Sequence, residues 1–386
     1  MSAQSASSLR SESTARSSSS QIPSTLPEAR VAVVGTRGVP ARYGGFETLA
    51  EQLAYHVDAK SVELTLYGQR SAYTRAERSG RFAGHRRAWL PFSAGGAQSL
   101  LHDALQLFHA SLARQHNCIL LLGTSAAWLL PFIRLVRRRH RIVTNIDGLE
   151  WRRDKFGPLA RALLKALESL AIRYSDAIIA DNDALVPMVR KIYGVNPVMI
   201  AYGADQVRLQ EGVGADSNGY LLAIARVEPE NNAAMILKAA CMEKARITFV
   251  GNWNSTEYGR SLFDEYHGTP GFVLRPPVYD QAALAVIRSG SAVYVHGHSV
   301  GGTNPSLVEA IFHSDRILAF DCVFNRATLD DEGAYFSSVE ELSQLIRSPQ
   351  SGLITPEARE RLRERYRWSA ITRQYLDVLL PDTAHG

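Results

Sequence analysis

The segment His296-Gly297-His298-Ser299-Val300-Gly301-Gly302-Thr303-Asn304-Pro305-Ser306-Leu307-Val308-Glu309-Ala310 reads as a strand end, a glycine turn and a capped helix. A helix entered this way points backbone N–H groups and its positive dipole end at one spot, which suits a phosphate. Glu309, one turn inside, is placed to accept hydrogen bonds from sugar hydroxyls. Together these residues suggest a nucleotide-sugar site.

Two further segments offer phosphate chemistry. Gly35-Thr36-Arg37-Gly38-Val39-Pro40-Ala41-Arg42-Tyr43-Gly44-Gly45-Phe46-Glu47 lies between a buried-looking strand and an amphipathic helix. Gly44 and Gly45 let backbone approach a pyrophosphate, and Arg37 and Arg42 bring charge. GxGxxG and the GK[ST] ending of a P-loop are both absent, and a glycine turn needed only for tight strand-to-helix packing would use the same residues. Ala225-Arg226-Val227-Glu228-Pro229-Glu230-Asn231-Asn232 closes another strand. There the Arg226 guanidinium can hold a departing diphosphate bidentately, or pair with Glu228 or Glu230. Asp181-Asn182-Asp183 spells a DxD metal motif, but between a strand and a helix Asp183 is more simply an N-cap.

The elements that must position these groups show in the patterning. From Arg30 onward, β-branched or aliphatic runs alternate with helical patterns, the signature of βαβ units and parallel sheets. Strands are expected at 31–35, 62–67, 119–122, 142–145, 177–180 and 198–201, with helices at 46–57, 98–114, 126–139, 159–174 and 184–193. A second set has strands at 220–225, 247–251, 272–274, 292–296 and 317–320, and helices at 233–242, 281–288 and 306–313. The expected fold is α/β, with two Rossmann-like doubly wound domains facing a central cleft. Residues 1–29, serine-rich and poor in apolar side chains, are expected to be disordered. Residues 30–203 are expected to form the N-terminal domain, 204–219 a linker, 220–355 the C-terminal domain, and 356–386 further helices.

Composition excludes several classes. The chain has 386 residues, 46% of them hydrophobic, enough for buried cores. Its three cysteines lie far apart without metal-ligand spacing, which fits a reducing, cytoplasmic setting. The net charge is only +5, yet basic residues gather at Arg134, Arg137, Arg138, Arg139, His140 and Arg141, and again at Arg152, Arg153 and Lys155. With the helix around Arg161, Lys165 and Arg173, they suggest peripheral contact with an anionic membrane, although a solvated helix face would look the same. Residues 118–136 are apolar enough to raise a membrane span, but Gly123-Thr124-Ser125, Pro131 and Arg134 favour strand, turn and helix. No aromatic-basic interleaving supports nucleic-acid binding.

VGTRGVPARYGGFETLAEQL, ARVEPENN and HSVGGTNPSLVEA are similar to the bacterial rhamnosyltransferase-type branch of the retaining GT-B glycosyltransferases, glycosyltransferase family 4. The likeness runs from Arg30 to about Leu380. It implies metal-independent transfer from a nucleotide-diphospho-sugar donor, most simply dTDP-L-rhamnose, held by residues 220–355, to a lipid-linked saccharide acceptor bound by residues 30–203, with the helices of 356–386 crossing back to the first domain, and a role in surface polysaccharide at the inner face of the cytoplasmic membrane. Carried over by position, Glu309 binds the donor ribose, while Gly302, Thr303, Asn304, Ser306 and Leu307 meet its phosphate or nucleotide. Arg226 neutralises the leaving diphosphate, and Gly44 and Gly45 close over the phosphates. Two departures stand out: Gly301 replaces a glutamate expected eight positions before Glu309, and Asn231 replaces the lysine expected five after Arg226. The acceptor side is expected to include Arg42, Tyr43, Glu150, Trp151 and Arg152. Asp147 occupies a place comparable to the family's catalytic histidine, where it would orient or deprotonate the acceptor hydroxyl, stabilise positive charge on the sugar ring, or merely hold turn amides before Gly148. The rival readings are a nucleotide-sugar epimerase sharing the cleft, and a non-catalytic nucleotide- or nucleic-acid-binding protein.

Overall fold

The computed structural model describes residues 27, 29–42, 44–91, 98–136, 140–153, 155–207 and 219–381. Most of the serine-rich segment, Tyr43, Arg137 to Arg139 and residues 208–218 of the expected linker lie outside them. The first sheet holds β1 (Ala29–Val34), β2 (Val62–Gln69), β3 (Arg86–Leu90), β4 (Cys118–Leu122), β5 (Arg141–Asn145), β6 (Ala177–Ala180) and β7 (Val198–Met199). The second holds β8 (Tyr220–Ile224), β9 (Ile247–Val250), β10 (Phe272–Arg275), β11 (Ser291–His296), β12 (Ile317–Phe320) and β13 (Ala334–Phe336). Every pairing is parallel, in the orders β3-β2-β1-β4-β5-β6-β7 and β10-β9-β8-β11-β12-β13. Each order reverses once, between β1 and β4 and between β8 and β11, and a doubly wound sheet opens a crevice at the carboxyl ends of the strands there. β4 shows why: its Cys-Ile-Leu-Leu-Leu run is buried throughout, as a central parallel strand covered on both faces must be.

Some elements differ from the sequence expectation for local reasons. β3 reads Arg-Arg-Ala-Trp-Leu, an edge strand too charged to announce itself, and β13 has only three residues. The helix Glu257–Tyr266 is largely polar and is started by Thr256, whose side chain accepts the Gly259 N–H. Within 126–139 the chain forms a 3₁₀ turn at Ala127–Leu129 and then a helix at Leu130–Val136. Among the described residues no helix is long and apolar enough to cross a membrane.

The two sheets are joined by shared packing. One apolar cluster runs from Val33 and Leu120 of the first sheet through Tyr294 and Ile317 of the second to Tyr366, Trp368 and Tyr375 in the last two helices. The helix Trp368–Leu379 packs on the helix Gly45–His56 and on β4 and β5. Tyr375 Oη accepts a hydrogen bond from Asn145 Nδ2 at 2.8 Å, and the Arg141 guanidinium donates to the Val378 carbonyl at 3.0 Å. Residues 204–207, the start of the expected linker, are pinned to the last helix: Asp205 accepts the Trp368 N–H at 2.7 Å and Gln206 accepts the Trp368 indole N–H at 2.6 Å. Gly203 has no side chain because a Cβ would fall 2.5 Å from the Trp368 ring. Trp368 is 1% exposed, so Trp368→Ala is expected to cost about 3–5 kcal/mol, measured by urea unfolding.

Candidate active site

A cleft of about 1470 Å³ lies between the sheets, lined from both by residues that follow strand ends. On the first-domain wall the loop after β1 is tied to its own helix. Glu47 accepts the Arg37 N–H at 2.9 Å, Glu51 accepts the Ala41 N–H at 3.1 Å, and Gln106 accepts the Gly35 N–H at 2.7 Å. Carboxylates therefore occupy amides that a P-loop would offer to phosphate, and burial pushes the Glu47 and Glu51 carboxyls upward. What remains for an anion is the N-terminus of Gly45–His56, where Gly44 provides no side-chain cap and both glycines line the cleft. Arg42 also lines it, over the Tyr73 ring and paired with Glu77.

After β5, Asp147 turns the chain with φ +60, its N–H held by Asn145 Oδ1 at 2.8 Å. This left-handed conformation is one that Asp tolerates better than most residues. Tyr202, 4% exposed, donates to Asp147 Oδ1 at 3.5 Å. Burial, aided by Glu150 and opposed by Arg153, raises the Asp147 carboxyl to about 6. Glu150 lines the cleft beside it. Trp151 and Arg152, expected on the acceptor side, turn away. The 3₁₀ turn Glu150–Arg152 carries Trp151 to Glu168, whose Oε1 accepts its indole N–H at 3.0 Å, while Lys165 lies over the ring. Both residues line a separate surface hollow with Arg161 and Lys165.

On the second-domain wall, Arg226 follows β8 with a half-exposed side chain 3.6 Å from Glu228. Asn231 lines the cleft with its side chain engaged locally: it donates to the Arg226 carbonyl at 2.8 Å and its Oδ1 faces His298 Nδ1. Burial lowers His298 to about 4, so its ring is neutral. The helix Pro305–His313 is capped by Asn304, whose Oδ1 accepts the Ser306 N–H at 3.0 Å. The Leu307 N–H bonds to the Asn304 carbonyl at 3.0 Å, and the Leu307 side chain is buried in the core, so Leu307 takes no place in the cleft. The loop before the helix carries Gly302, Thr303 and Asn304 to the cleft surface. Glu309 is already engaged: Arg288 donates at 2.6 Å and Gln206 at 3.4 Å. Burial raises its carboxyl and Arg288 opposes the rise.

The glutamate expected at 301 is excluded by the backbone. Gly301 has φ +101, where L side chains strain, and it meets Gly148 of the other domain closely enough that a Cβ on Gly148 would lie 3.1 Å from the Gly301 Cα. Of the DxD string, Asp183 pairs with Arg365, and Asn182 rather than Asp183 caps the next turn by accepting the Ala184 N–H at 3.0 Å. Asp181 is buried behind Gly302. Tyr202 and Arg288 line the cleft without having been singled out in the sequence, Arg288 leaving only the signal of a cation closing an otherwise apolar helix; His298 and Arg153 line it from segments already marked by their strand ends.

Residues 28–205 match the family described as a domain of unknown function, DUF1972. Comparison with curated proteins finds no match. Among solved structures, sucrose-phosphate synthase from Thermosynechococcus elongatus is similar with a TM-score of 0.75 at 13% identity, over 90% of this chain and 97% of that one. HepE from Anabaena, in complex with UDP and glucose, gives 0.67 at 13% identity over 91% and 98%. The N-terminal domain of Candida albicans trehalose-6-phosphate phosphatase gives 0.63 at 11% identity over 91% and 96%. The fold is GT-B. Because a Cβ at Gly302 would overlap the Asp181 carboxyl, Gly302→Ala is expected to lose about 1–3 kcal/mol of stability in urea unfolding.

Proposed function

We propose that the protein is a retaining, metal-independent glycosyltransferase that moves L-rhamnose from dTDP-L-rhamnose to a lipid-linked saccharide in surface polysaccharide synthesis. The observation that carries this reading is the division of the cleft. One wall offers Arg226 and the loop Gly302–Asn304 for a diphosphate, and the other offers Asp147 and Glu150 for a hydroxyl. Glycosyl transfer from a nucleotide sugar needs such a division, because negative charge develops on the departing diphosphate and positive charge on the ring. Arg226, mobile enough to leave Glu228, and the uncapped amides at Gly44 and Gly45 stabilise the leaving group. Phosphate at the Pro305–His313 helix would first displace the Asn304 cap from Ser306.

The bond between the anomeric carbon and the phosphate oxygen breaks with its electron pair leaving on the diphosphate. The acceptor oxygen then bonds to that carbon from the same face, and its proton passes to the departing phosphate oxygen. Asp147, ionised, accepts the hydrogen bond of the acceptor hydroxyl as the acceptor binds and so orients its oxygen; as the donor bond breaks, that proton turns to the phosphate oxygen and Asp147 faces the developing ring charge. Glu309 reads the ribose while held by Arg288. The rhamnose assignment rests on the sequence resemblance and on the side-chain-free floor at Gly301.

A lipid-linked acceptor calls for a membrane-facing surface. Leu159 at 89% exposure, Leu135 at 79%, Val136 at 75% and Phe132 at 60% stand out on two helices in mutual contact, near Arg161 and Lys165. Apolar side chains ringed by cations suit an anionic bilayer surface. Arg134 belongs to the interior instead, bonded to the Tyr174 carbonyl and to Asp176.

Incubation with a detergent-solubilised lipid-diphosphate saccharide and a panel of nucleotide sugars tests the reading. Acceptor-dependent release of dTDP from dTDP-L-rhamnose is expected; conversion of the nucleotide sugar without acceptor would mark an epimerase instead. Arg226→Ala should lower kcat/KM by about 10²-fold or more. Because Asp147 must be ionised, kcat should fall as pH drops below about 6. Sedimentation with phosphatidylglycerol vesicles should be lost in Leu135→Glu/Leu159→Glu and weakened by salt; equal pelleting of this variant would contradict the membrane assignment.

A further inference from the structure

Asp181 is the least explained polar side chain in the molecule. It is 1% exposed, and neither carboxyl oxygen has a hydrogen-bond donor among the described residues. A buried carboxylate left so would be costly, and it persists only if neutral or closely compensated. Its position is fixed from the backbone: Thr303 Oγ1 donates to the Asp181 carbonyl, and Asn182 Nδ2 bonds Thr303 Oγ1 at 3.2 Å and Thr328 Oγ1 at 3.1 Å. The carboxyl is thereby pressed against Gly302, under the cleft floor. The charged group that acts on it most strongly is Asp147, from the end of the neighbouring strand, and no cation is among its main influences.

We propose that Asp181 is a positioning residue for Asp147: the two carboxyls share one proton, which Asp181 holds beneath the floor while Asp147 stays ionised toward the cleft. Two adjacent carboxylates in a dry site cannot both ionise cheaply, and the deeper one retains the proton. The surroundings favour that division. Asp147 faces Glu150, Arg153, Arg226 and the Tyr202 hydroxyl, so cations and a donor support its charge. Around Asp181 are Asp147 and the neutral phenols Tyr202, Tyr366 and Tyr375. Burial and the Asp147 charge raise the Asp181 carboxyl well above the ordinary range. A neutral Asp181 then donates to Asp147, fixing the orientation of the oxygen that meets the acceptor hydroxyl. This role rests on the glycosyl-transfer reading, whereas the shared proton is a property of the folded protein alone.

Thermal unfolding reads the proton without activity. A carboxyl protonated in the folded state and ionised in the unfolded state contributes stability at low pH that is lost as pH rises. The Tm of Asp181→Asn should therefore rise relative to wild type by roughly 2 °C per pH unit between pH 5 and pH 8. In an Asp147→Asn background the same Asp181→Asn difference at pH 8 should be smaller, because the neighbouring negative charge is gone. A difference independent of pH, or equal in both backgrounds, would overturn the shared proton. If nucleotide release is observed, Asp181→Asn should keep the wild-type acid limb of the pH–kcat profile. Asp181→Ala, which withdraws the donor, should move that limb up by about one pH unit. Donor KM should stay within about twofold in both. Identical profiles for the two variants would overturn the positioning role, and the unfolding measurements stand even if no donor is turned over.

Discussion

Two backbones touch at the bottom of the cleft, and the rest of the site depends on that contact. Gly148, leaving the first sheet, lies against Gly301 and Gly302, leaving the second, and Gly302 in turn lies against the Asp181 carboxyl. A side chain at Gly148 or Gly302 would push the walls apart, and Gly301 holds the glycine-favouring φ of +101. The small glycine surfaces let the turn after β5 of one domain and the loop after β11 of the other form a common floor. This also explains why a carboxylate is missing at 301: on this floor the acid groups, Asp147 and Asp181, come from the first domain.

Above the floor the domains are held by charge. Arg153, 8% exposed, bridges Glu150 of its own domain and Glu230 of the other, with Lys155 3.7 Å from Glu228. A partly buried bridge of this kind fixes geometry more than it adds stability, and removal of one partner would strand a charge in the cleft. Arg226 sits at the edge of this network, its half-exposed side chain 3.6 Å from Glu228. Below, the helix Trp368–Leu379 ties β4 and β5 to the end of the chain, so closure of the cleft is braced from both sides.

Much of the fold was legible because parallel strands covered on both faces leave apolar runs, as Cys118–Leu122 and Ile317–Phe320 do, with glycine or a helix cap at their carboxyl ends. The elements that escaped notice lack that signature: Arg86–Leu90 carries two arginines, and Glu257–Tyr266 packs with a mostly polar surface. In the site, Gly44, Arg226 and Asn304 could be read from strand-to-helix transitions. Trp151, Arg152 and Leu307 could not, because a 3₁₀ turn and the helical period set which neighbours of a strand end face inward. Asp181 looked like part of a metal motif, and only the approach of Gly302 from another domain shows that it is a buried acid.

The central claim is that this cleft binds a nucleoside diphosphate between the two walls. Hydrogen–deuterium exchange of the full chain with and without dTDP tests it most directly. The account predicts protection of amides in residues 44–48, 226–231 and 301–309 together, in both domains. Protection confined to one domain, or found only outside these segments, would contradict it.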